Sequence, residues 1–527
     1  MVKWQHTLLR CLTASGFGLA VGCASSNVAI PGGYLPKPFT TIDTSVTPVP
    51  PPMPRNNELP APKALEEQKK KPFELSTTLP GADQEAVKIP RFREKSTAPE
   101  RDKAVREAYP TLQPVSANLP LNSEALTLAD LQLYASENSP VIRQAEANAE
   151  ASLGQVVQAG LYPNPTVGYQ ADQVQPGLRI PPGATSSGAG QQGGFVNQLI
   201  KTAKKLSLAQ QVAGFDYINT LVAVRRAHLD VITAVRTNYF AVLVARQNLE
   251  VNQALADMAD EVYRLQLKQV AAGEAAGYEP LQLYAQAIQA RNGVAQAQAT
   301  YKAAWRQLAS AIGKPDLPLG ALSGRADVAP PNFDPDALKS RLLDEHTDLL
   351  TRRNTIAQAQ RRETLARRIP IPDLSTNVAL QYDNSTQTTQ FAVQLGISVP
   401  LYDRNQGNIR AAQAQIAAAG EDLRRSQNDL IGQLADAYGR YEGATQVALN
   451  YREKVLPSLA QAYRLLVRRY QAEPEKVGFN DIVVAQQNYA QSLQSYLTAI
   501  DTQWRAVIDL ANISQLDELY PAKTEPK

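Results

Sequence analysis

The sequence predicts a mainly α-helical fold with some β-structure, built from a duplicated helix–strand–strand–long helix–helix unit. Three observations predict it: two proline-free helical stretches of unusual length, four stretches of strand-like alternation, and motifs that recur about two hundred residues apart. Aromatic residues make up only 6% of the 527 residues. So low a share is more typical of long, exposed helices than of a compact globular core, although the length would allow two to four ordinary domains.

The composition excludes several classes of function. Lys and Arg (53) nearly balance Asp and Glu (50), so binding to nucleic acid is not predicted. The two cysteines, Cys11 and Cys23, lie at the N-terminus, which excludes a disulfide framework or a Cys-based metal site elsewhere. The sequence contains no Walker loop, no His-Glu-x-x-His and no Gly-x-Ser-x-Gly. We therefore predict no enzyme activity, no cofactor and no metal site.

The N-terminus carries an export signal. Lys3 and Arg10 accompany a short uncharged segment, as in a secretory signal peptide, here predicted over residues 1–22. The run Ala20-Val21-Gly22-Cys23 resembles a bacterial lipobox, which implies that Cys23 is lipidated. The alternative is an ordinary signal peptide followed by an incidental cysteine. No other stretch has the roughly 18 uninterrupted apolar residues of a transmembrane helix.

Residues 23–126 differ in composition from the rest of the chain. Between positions 24 and 120 lie 17 of the 36 prolines, including the run PVPPPMP at 48–54. Such a segment cannot bury enough apolar surface to offset the entropy lost on ordering. We therefore expect an extended, largely disordered leader that acts as a tether.

The remainder of the chain is duplicated. The predicted units are residues 127–313 and 334–515, joined by a linker at 314–333 and followed by a tail at 516–527. Short motifs recur in the same order in both units: Val262-Tyr263-Arg264-Leu265 with Ala462-Tyr463-Arg464-Leu465, Gly277-Tyr278 with Gly478-Phe479, Ala285-Gln286 with Ala485-Gln486, and Trp305-Arg306 with Trp504-Arg505. Repeats of this size indicate a duplicated supersecondary unit.

Each unit is predicted to begin with a helix, over 128–160 and 335–368, and to contain a very long helix, over 203–272 and 408–456. At about 1.5 Å per residue, the first long helix would span on the order of 100 Å. Helices of this length must pack side by side. Apolar residues of the first recur every three or four positions, as in a coiled coil: Leu221, Val224, Val231, Val235, Val242 and Leu249.

Polar groups on the first long helix are interpreted as structural. His228 falls on the apolar seam and is predicted to be a packed helix residue, not a ligand. Asp257, Asp260 and Glu261 are predicted to lie on a charged, solvated face, the alternative being the wall of a lumen.

Four stretches alternate as β-strands do, two in each unit: residues 165–171, 193–200, 374–382 and 391–401. Such alternation fits either a half-buried strand of a soluble sheet or a membrane-spanning strand. Two observations favour the membrane-spanning interpretation: the export signal, and the lack of any apolar surface for a sheet to cover except the long helices themselves. The residues predicted to face lipid are Val393, Leu395, Ile397 and Val399, with their small or polar neighbours facing water.

Four membrane-spanning strands imply an oligomer. In hydrocarbon every backbone polar group needs a partner, so strands span a bilayer only as a closed barrel. Single-chain barrels begin at about eight strands. Four strands cannot close alone, and two, three or four copies of the chain would supply the remainder.

Several sequence runs resemble the TolC family of outer-membrane efflux channels, over roughly residues 127–515. They are Ala-Gly-Leu-Tyr-Pro-Asn-Pro at 159–165, the run from Val399 to Ile409 (VPLYDRNQGNI), and Tyr463 followed by Gly478-Phe479 and Ala485-Gln486. The Arg-Asn-Gln-Gly-Asn-Ile run and the Tyr-Pro-Asn-Pro run look most like the branch that serves cobalt–zinc–cadmium efflux.

The resemblance implies a homotrimer with a twelve-stranded barrel among outer-membrane lipids and twelve long helices that cross the periplasm. The implied partners are a periplasmic adaptor protein and an inner-membrane transporter of the RND or ABC type. The implied adaptor contact and gate is the tip formed by two helix–helix turns, with Gly273, Gly277, Tyr278, Gly478 and Phe479. Gly277 and Gly478 are expected to supply the positive φ that such a turn often needs. The alternative is that they are merely helix C-caps, and both interpretations can hold together.

The predicted function is that of a passive exit duct in the outer membrane, driven by a separate inner-membrane pump. The alternative is a periplasmic coiled-coil structural lipoprotein without a pore. The four strands distinguish the two, because a spacer has no use for them.

Overall fold

The computed structural model describes residues 97–113, 122–172, 190–473 and 476–520, together with a few positions between 80 and 89. The chain divides into two units, residues 1–85 and 86–527, and the elements below belong to the second. The predicted signal peptide and Cys23 lie outside the described residues. Lipidation of Cys23 therefore stays a prediction.

The elements of the first repeat follow the predicted order. A helix pair is followed by two strands, a very long helix and a returning helix: α2 (Leu128–Asn138), α3 (Pro140–Gly160), β2 (Thr166–Asp172), β3 (Gln191–Ile200), α4 (Lys205–Ala272) and α5 (Glu279–Ala311). Two elements precede them, α1 (Ala98–Ala108) and β1 (Asn122–Leu126).

The second repeat has the same order and is introduced by a short strand. Its elements are β4 (Gly320–Leu322), α6 (Pro335–Glu345), α7 (Thr347–Arg368), β5 (Leu374–Asp383), β6 (Thr388–Ile397), α8 (Gln406–Asn450), a π-helical turn (Tyr451–Val455), α9 (Leu456–Ala472) and α10 (Phe479–Ile513). The structure thus contains the four predicted strands and two further short ones.

The first helix of each repeat is broken, whereas a single helix was predicted in both places. In the first repeat Pro140 starts α3, because its missing N–H and fixed φ suit the first position of a helix. In the second repeat His346 caps α7, its Nδ1 accepting a hydrogen bond from the Asp348 N–H at 3.2 Å. A proline at the first helical position and a histidine N-cap thus break the two helices at corresponding places.

The second long rod extends beyond its predicted end near Leu456. α8 passes through the π-helical turn Tyr451–Val455 into α9, which ends at Ala472. Pro457 closely follows this π-turn, and in a regular α-helix proline lacks an N–H and clashes with the carbonyl four residues earlier. The wider π-turn before it is a common way to insert one residue into a helix.

The main hydrophobic core joins the two repeats midway along α4. Trp305 and Trp504 are both 1% exposed, and Trp504 stacks on Phe240 at a centroid distance of 3.7 Å. β1 pairs in parallel with β4 beside this core, and Leu322 lies within it. The Trp504 Nε1–H donates to the Ala326 carbonyl at 2.7 Å. The core therefore also fixes the linker between the repeats.

The four longer strands form one antiparallel sheet in the order β2-β3-β5-β6. The β3–β5 pairing joins the two repeats, with Val196 opposite Val378. Among the described residues, no helix is both long and apolar enough to span a bilayer.

Candidate functional sites: the two-faced sheet and the helix–helix turns

One face of the sheet is apolar across all four strands. The register places aliphatic or aromatic residues in continuous rows, of which the longest are Val167-Val196-Val378-Val393 and Tyr169-Gly194-Leu380-Phe391. These side chains are exposed in the single chain: Val167 is 73% exposed and Phe391 is 69% exposed. A contiguous exposed apolar surface of this kind marks an interaction or membrane surface.

The opposite face is polar. Its rows include Thr166-Asn197-Asn377-Gln394 and Gln170-Gly193-Gln381-Gln390. At one end Asp172 accepts hydrogen bonds from the amides of Gln170 and Gln381 at 2.6 and 3.0 Å. Asp383 accepts one from the Gln390 amide at 3.2 Å. This face carries a hydrogen-bonded network suited to water, not to hydrocarbon.

The residues predicted to face lipid lie on the last strand and just beyond it. Val393, Leu395 and Ile397 alternate on the apolar face of β6, which runs from Thr388 to Ile397. Val399 lies two residues past the end of the strand and is 65% exposed. Strand β6 ends at Ile397 because its partner β5 begins opposite, at Leu374. The residues before Leu374 do not pair with β6.

The weak alternation of β3 has a structural reason. Phe195 lies on the polar face, where its ring covers Gly168 of the neighbouring strand. At Gly193 a Cβ atom would collide with the Leu380 carbonyl, so close strand approach excludes a side chain. The alternation of β3 is therefore weak because Gly193 and Gly194 replace two of its side chains and Phe195 lies on the polar face.

Asp373 fastens the sheet to the rods. Its carboxylate accepts from the Lys205 and Lys201 Nζ atoms at 2.8 and 3.0 Å and from the Thr202 N–H at 3.0 Å. Burial alone would raise the pKa of Asp373, but these hydrogen bonds hold it well below its usual range. The link before α4 turns at Lys204, which has a left-handed φ of 59°.

The outer edges of the sheet are open. In the described part of the chain β2 pairs only with β3 and β6 pairs only with β5. Exposed strand edges present unpaired N–H and C=O groups and are templates for pairing with another chain.

The turn glycines differ from the expectation. The residue with positive φ is Gly273 (83°), which ends α4, whereas Gly277 has no left-handed φ and Gly478 has a φ of −69°. Gly478 instead precedes α10, where its N–H donates to Asp481 Oδ2 at 3.0 Å. At Gly277 a Cβ would collide with the Ile89 side chain, so this glycine serves a close contact. The positive-φ prediction was wrong for both.

Part of the predicted leader packs against the first of these turns. The expected disorder does not hold for residues 98–108, which form α1, because apolar residues recur there at helical spacing: Ala104, Val105 and Ala108, followed by Tyr109. The Tyr109 hydroxyl donates to the Gly277 carbonyl at 2.7 Å. The mean composition of the leader conceals this short amphipathic segment.

A cavity of about 770 Å³ lies between the two helix–helix turns. Tyr278 and Gln282 line it from the first hairpin, and Tyr470, Phe479 and Asn480 line it from the second. The predicted tip residues Tyr278 and Phe479 therefore face a common space, although they lie two hundred residues apart in sequence.

The carboxylates near this end of α4 divide into two groups. Asp257 and Glu261 are exposed, as predicted, but Asp260 is 3% exposed and accepts from the Arg291 Nη2 at 2.5 Å. For Asp260 the solvated-face prediction was wrong, because α5 supplies a cation at the helix contact. Among the described residues, no group of His, Cys, Asp and Glu side chains could hold a metal ion.

Comparison with known proteins identifies the family. A model of the outer membrane efflux protein family matches residues 134–314 and 338–514. The cobalt-zinc-cadmium resistance protein CzcC of Cupriavidus metallidurans is 24% identical over 392 residues, which cover 74% of this chain and 90% of CzcC.

Solved structures share the fold. A membrane protein from Pseudomonas aeruginosa superposes with a TM-score of 0.61 at 15% identity, over 77% of this chain and 99% of the other. The MtrE outer membrane channel of Neisseria gonorrhoeae, in its open state, gives a TM-score of 0.58 at 17% identity, over 81% and 98%.

The residues that match this family include the two-faced sheet and the paired long helices, which together form the architecture of a channel component. The chain belongs to the outer membrane efflux protein family, as its resemblance to the TolC family led us to expect. It is an outer-membrane channel component of a tripartite efflux system.

Proposed function

We propose that three copies of the chain form a passive exit duct, with a twelve-stranded barrel in the outer membrane and a helical tunnel in the periplasm. The observation that carries this proposal is the four-stranded sheet with one apolar face, one polar face and two open edges. Because the strands alternate in direction, β6 of one copy can pair antiparallel with β2 of the next. Three copies then close a barrel without edges.

The turns at the far end of the rods are proposed as the adaptor contact and gate. The cavity between Tyr278 and Phe479 supports this, since it offers an open groove at the very end of both hairpins. Energy would come from a separate inner-membrane transporter. Lipid anchoring through Cys23 is a further part of the proposal, which the intact mass of the mature protein checks.

The cargo proposed is a heavy-metal cation handled by a dedicated pump. CzcC carries cobalt–zinc–cadmium resistance in its name, and it supports this assignment by similarity over most of both chains. The duct itself would supply passage and no metal ligands.

Planar-bilayer recording tests the duct. Purified protein with the mass of three copies should give long-lived ion-conducting channels, because the polar sheet face would line a continuous aqueous lumen. Protein that inserts into bilayers as a trimer but never conducts, even after the tip is removed by limited proteolysis, would favour the spacer alternative.

A further inference from the structure

We propose that residues 97–113 are a clasp that binds the turn of the first hairpin, Gly273–Tyr278, and fixes that half of the tip. The clasp consists of α1 and the extended residues that follow it. Its meaning for gating rests on the proposed function, in which the turns form the closed end of the duct. The contact itself is independent of that function.

The clasp is packed onto the hairpin through one face. Val105 and Tyr109 are each 3% exposed and contact Val270 and Ala271 at the end of α4. The remaining members of this apolar cluster are Ala108, Leu267, Ala275 and Leu281. The opposite face of α1 is exposed and charged, with Lys103 and Glu107 among its residues. This is the pattern of an amphipathic helix seated on a partner surface.

Two tyrosines join the clasp and hairpin in opposite directions. Tyr109 of the clasp donates to the Gly277 carbonyl, and Tyr263 of α4 donates to the Pro110 carbonyl, both at 2.7 Å. Tyr263 is 1% exposed, and burial beside Tyr284 and Tyr109 raises its pKa to about 12. It therefore stays a neutral donor at physiological pH, and neither end of the contact depends on charge.

The turn is shaped to receive the clasp. Gly277 has no side chain, so Ile89 and the Tyr109 hydroxyl can lie against its backbone. A side chain at this position would push both away. The same backbone carbonyl is the acceptor for Tyr109.

The turn of the second hairpin carries no such helix among the described residues, although Leu112 of the clasp packs against a cluster that contains Val483 of α10. Its turn is held by a cluster around Tyr470, Val477 and Ile482, drawn from α9 and α10 with Leu265 of α4. Tyr463, the repeat counterpart of Tyr263, has no hydrogen-bond partner for its hydroxyl among the described residues. The two repeats thus carry related hairpins, and α1 packs on the turn of the first.

The consequence is that the two hairpins of the tip are held to different degrees. The first hairpin is the fixed half, and its adaptor-facing surface includes the charged face of α1. Releasing the clasp should therefore loosen the first hairpin and favour opening of the duct.

Hydrogen exchange of the full-length protein tests the contact. Val105→Asp places a charge in the apolar cluster and should speed amide exchange in the first turn, residues 270–281, by about tenfold or more. Tyr109→Phe removes one hydrogen bond and should give a smaller increase at the same amides. Glu107→Gln on the exposed face of α1 is the matched control and should change nothing. Exchange in the second turn, residues 476–482, should rise much less than in the first turn for Val105→Asp and Tyr109→Phe, and should not change for Glu107→Gln.

Equal exchange in wild type and Val105→Asp at the first turn would overturn the clasp, and so would equal acceleration at both turns. Bilayer recording separates this result from the proposed function. Wild-type protein that never conducts contradicts the duct and leaves the exchange result to decide the clasp. If wild type conducts, Val105→Asp should raise its open probability, and an unchanged open probability contradicts the gating role.

Discussion

Asp373 shows how a single residue couples the two parts of the molecule. It lies directly before β5, yet its partners Lys201 and Thr202 belong to the link between β3 and α4, and its partner Lys205 is the first residue of α4. A carboxylate from the second repeat therefore accepts hydrogen bonds from groups at the start of α4, in the first repeat. Its position at the boundary of sheet and rods makes it a suitable probe of how firmly they are joined.

Asp373→Asn should destabilise this junction by about 2 kcal/mol, because a charged acceptor is lost and two lysines are left without their counter-ion. The folded pKa of Asp373 lies below its unfolded value. The stability that it contributes is therefore present above about pH 4 and is lost as the pH falls through the folded pKa. Denaturant unfolding followed from pH 7 down to about pH 2 measures both effects.

Asp436→Asn is the matched control for this substitution. Asp436 pairs with Arg440 one helical turn away, and both side chains are more than half exposed. Its loss should change the free energy of unfolding by at most about 0.5 kcal/mol. The proposed role of Asp373 at the junction would be contradicted if Asp373→Asn changed the free energy of unfolding as little as Asp436→Asn does and left its pH dependence as in wild type.

Among single residues, those that belong to a local pattern were predictable from the sequence, and those with distant partners were not. The alternation at Val393, Leu395 and Ile397 identified one face of β6 correctly, because period-two alternation is a local property. The roles of Gly277 and Asp260 were missed, because each depends on a residue far away in sequence, Ile89 and Arg291 respectively. Spacing alone does not reveal such partners.

Among the elements, β6 offers the sharpest test of the proposed membrane position. Val393→Lys puts a charge on the apolar face, and at the middle of a bilayer this costs about 2–4 kcal/mol. We expect Val393→Lys to lower the fraction of folded, inserted protein in urea titrations of proteoliposomes. The reason is that lysine would have to be desolvated in hydrocarbon.

Gln394→Lys is the control on the same strand, one residue further on and on the polar face. It should insert as the wild type does. Equal loss for both variants would contradict the assignment of one lipid face and one water face.

The order of the elements was predictable, and some of their ends were not. Long periodic stretches identified α4 and α8, since many residues contribute to each pattern. The breaks at Ser139 and His346, and the continuation of the second rod through Pro457, depend on caps and a π-turn that periodicity does not report. Helix α1 was missed because its eleven residues contribute little to the mean composition of the proline-rich segment 23–126.

For the whole molecule, the consequence of a passive duct is that its cargo is chosen elsewhere. The two carboxylates at one end of the polar face, Asp172 and Asp383, are held by glutamine amides and are not arranged with histidine or cysteine. Under the proposed function they line the lumen without ligating cargo.

Deleting the gene in its host should lower tolerance of cobalt, zinc and cadmium. A plasmid copy of the double variant Asp172→Asn, Asp383→Asn should restore metal tolerance of the deletion strain to within about twofold of wild type. The reason is that amide and carboxylate groups both hydrogen-bond to water. The growth-inhibitory metal concentration is the measurement. A double variant that reaches the outer membrane in normal amounts yet fails for one metal would indicate a selective site in the duct.

The helix at Ala98–Ala108 has a pharmacological consequence. A surface that binds seventeen residues of its own chain is a surface that a free peptide can also reach from the periplasm. Residues 97–113 supply the first sequence for such a ligand, with Val105 and Tyr109 as its anchors. Export could then be inhibited at the mouth of the tunnel, without an agent that enters the cell or competes with the cargo.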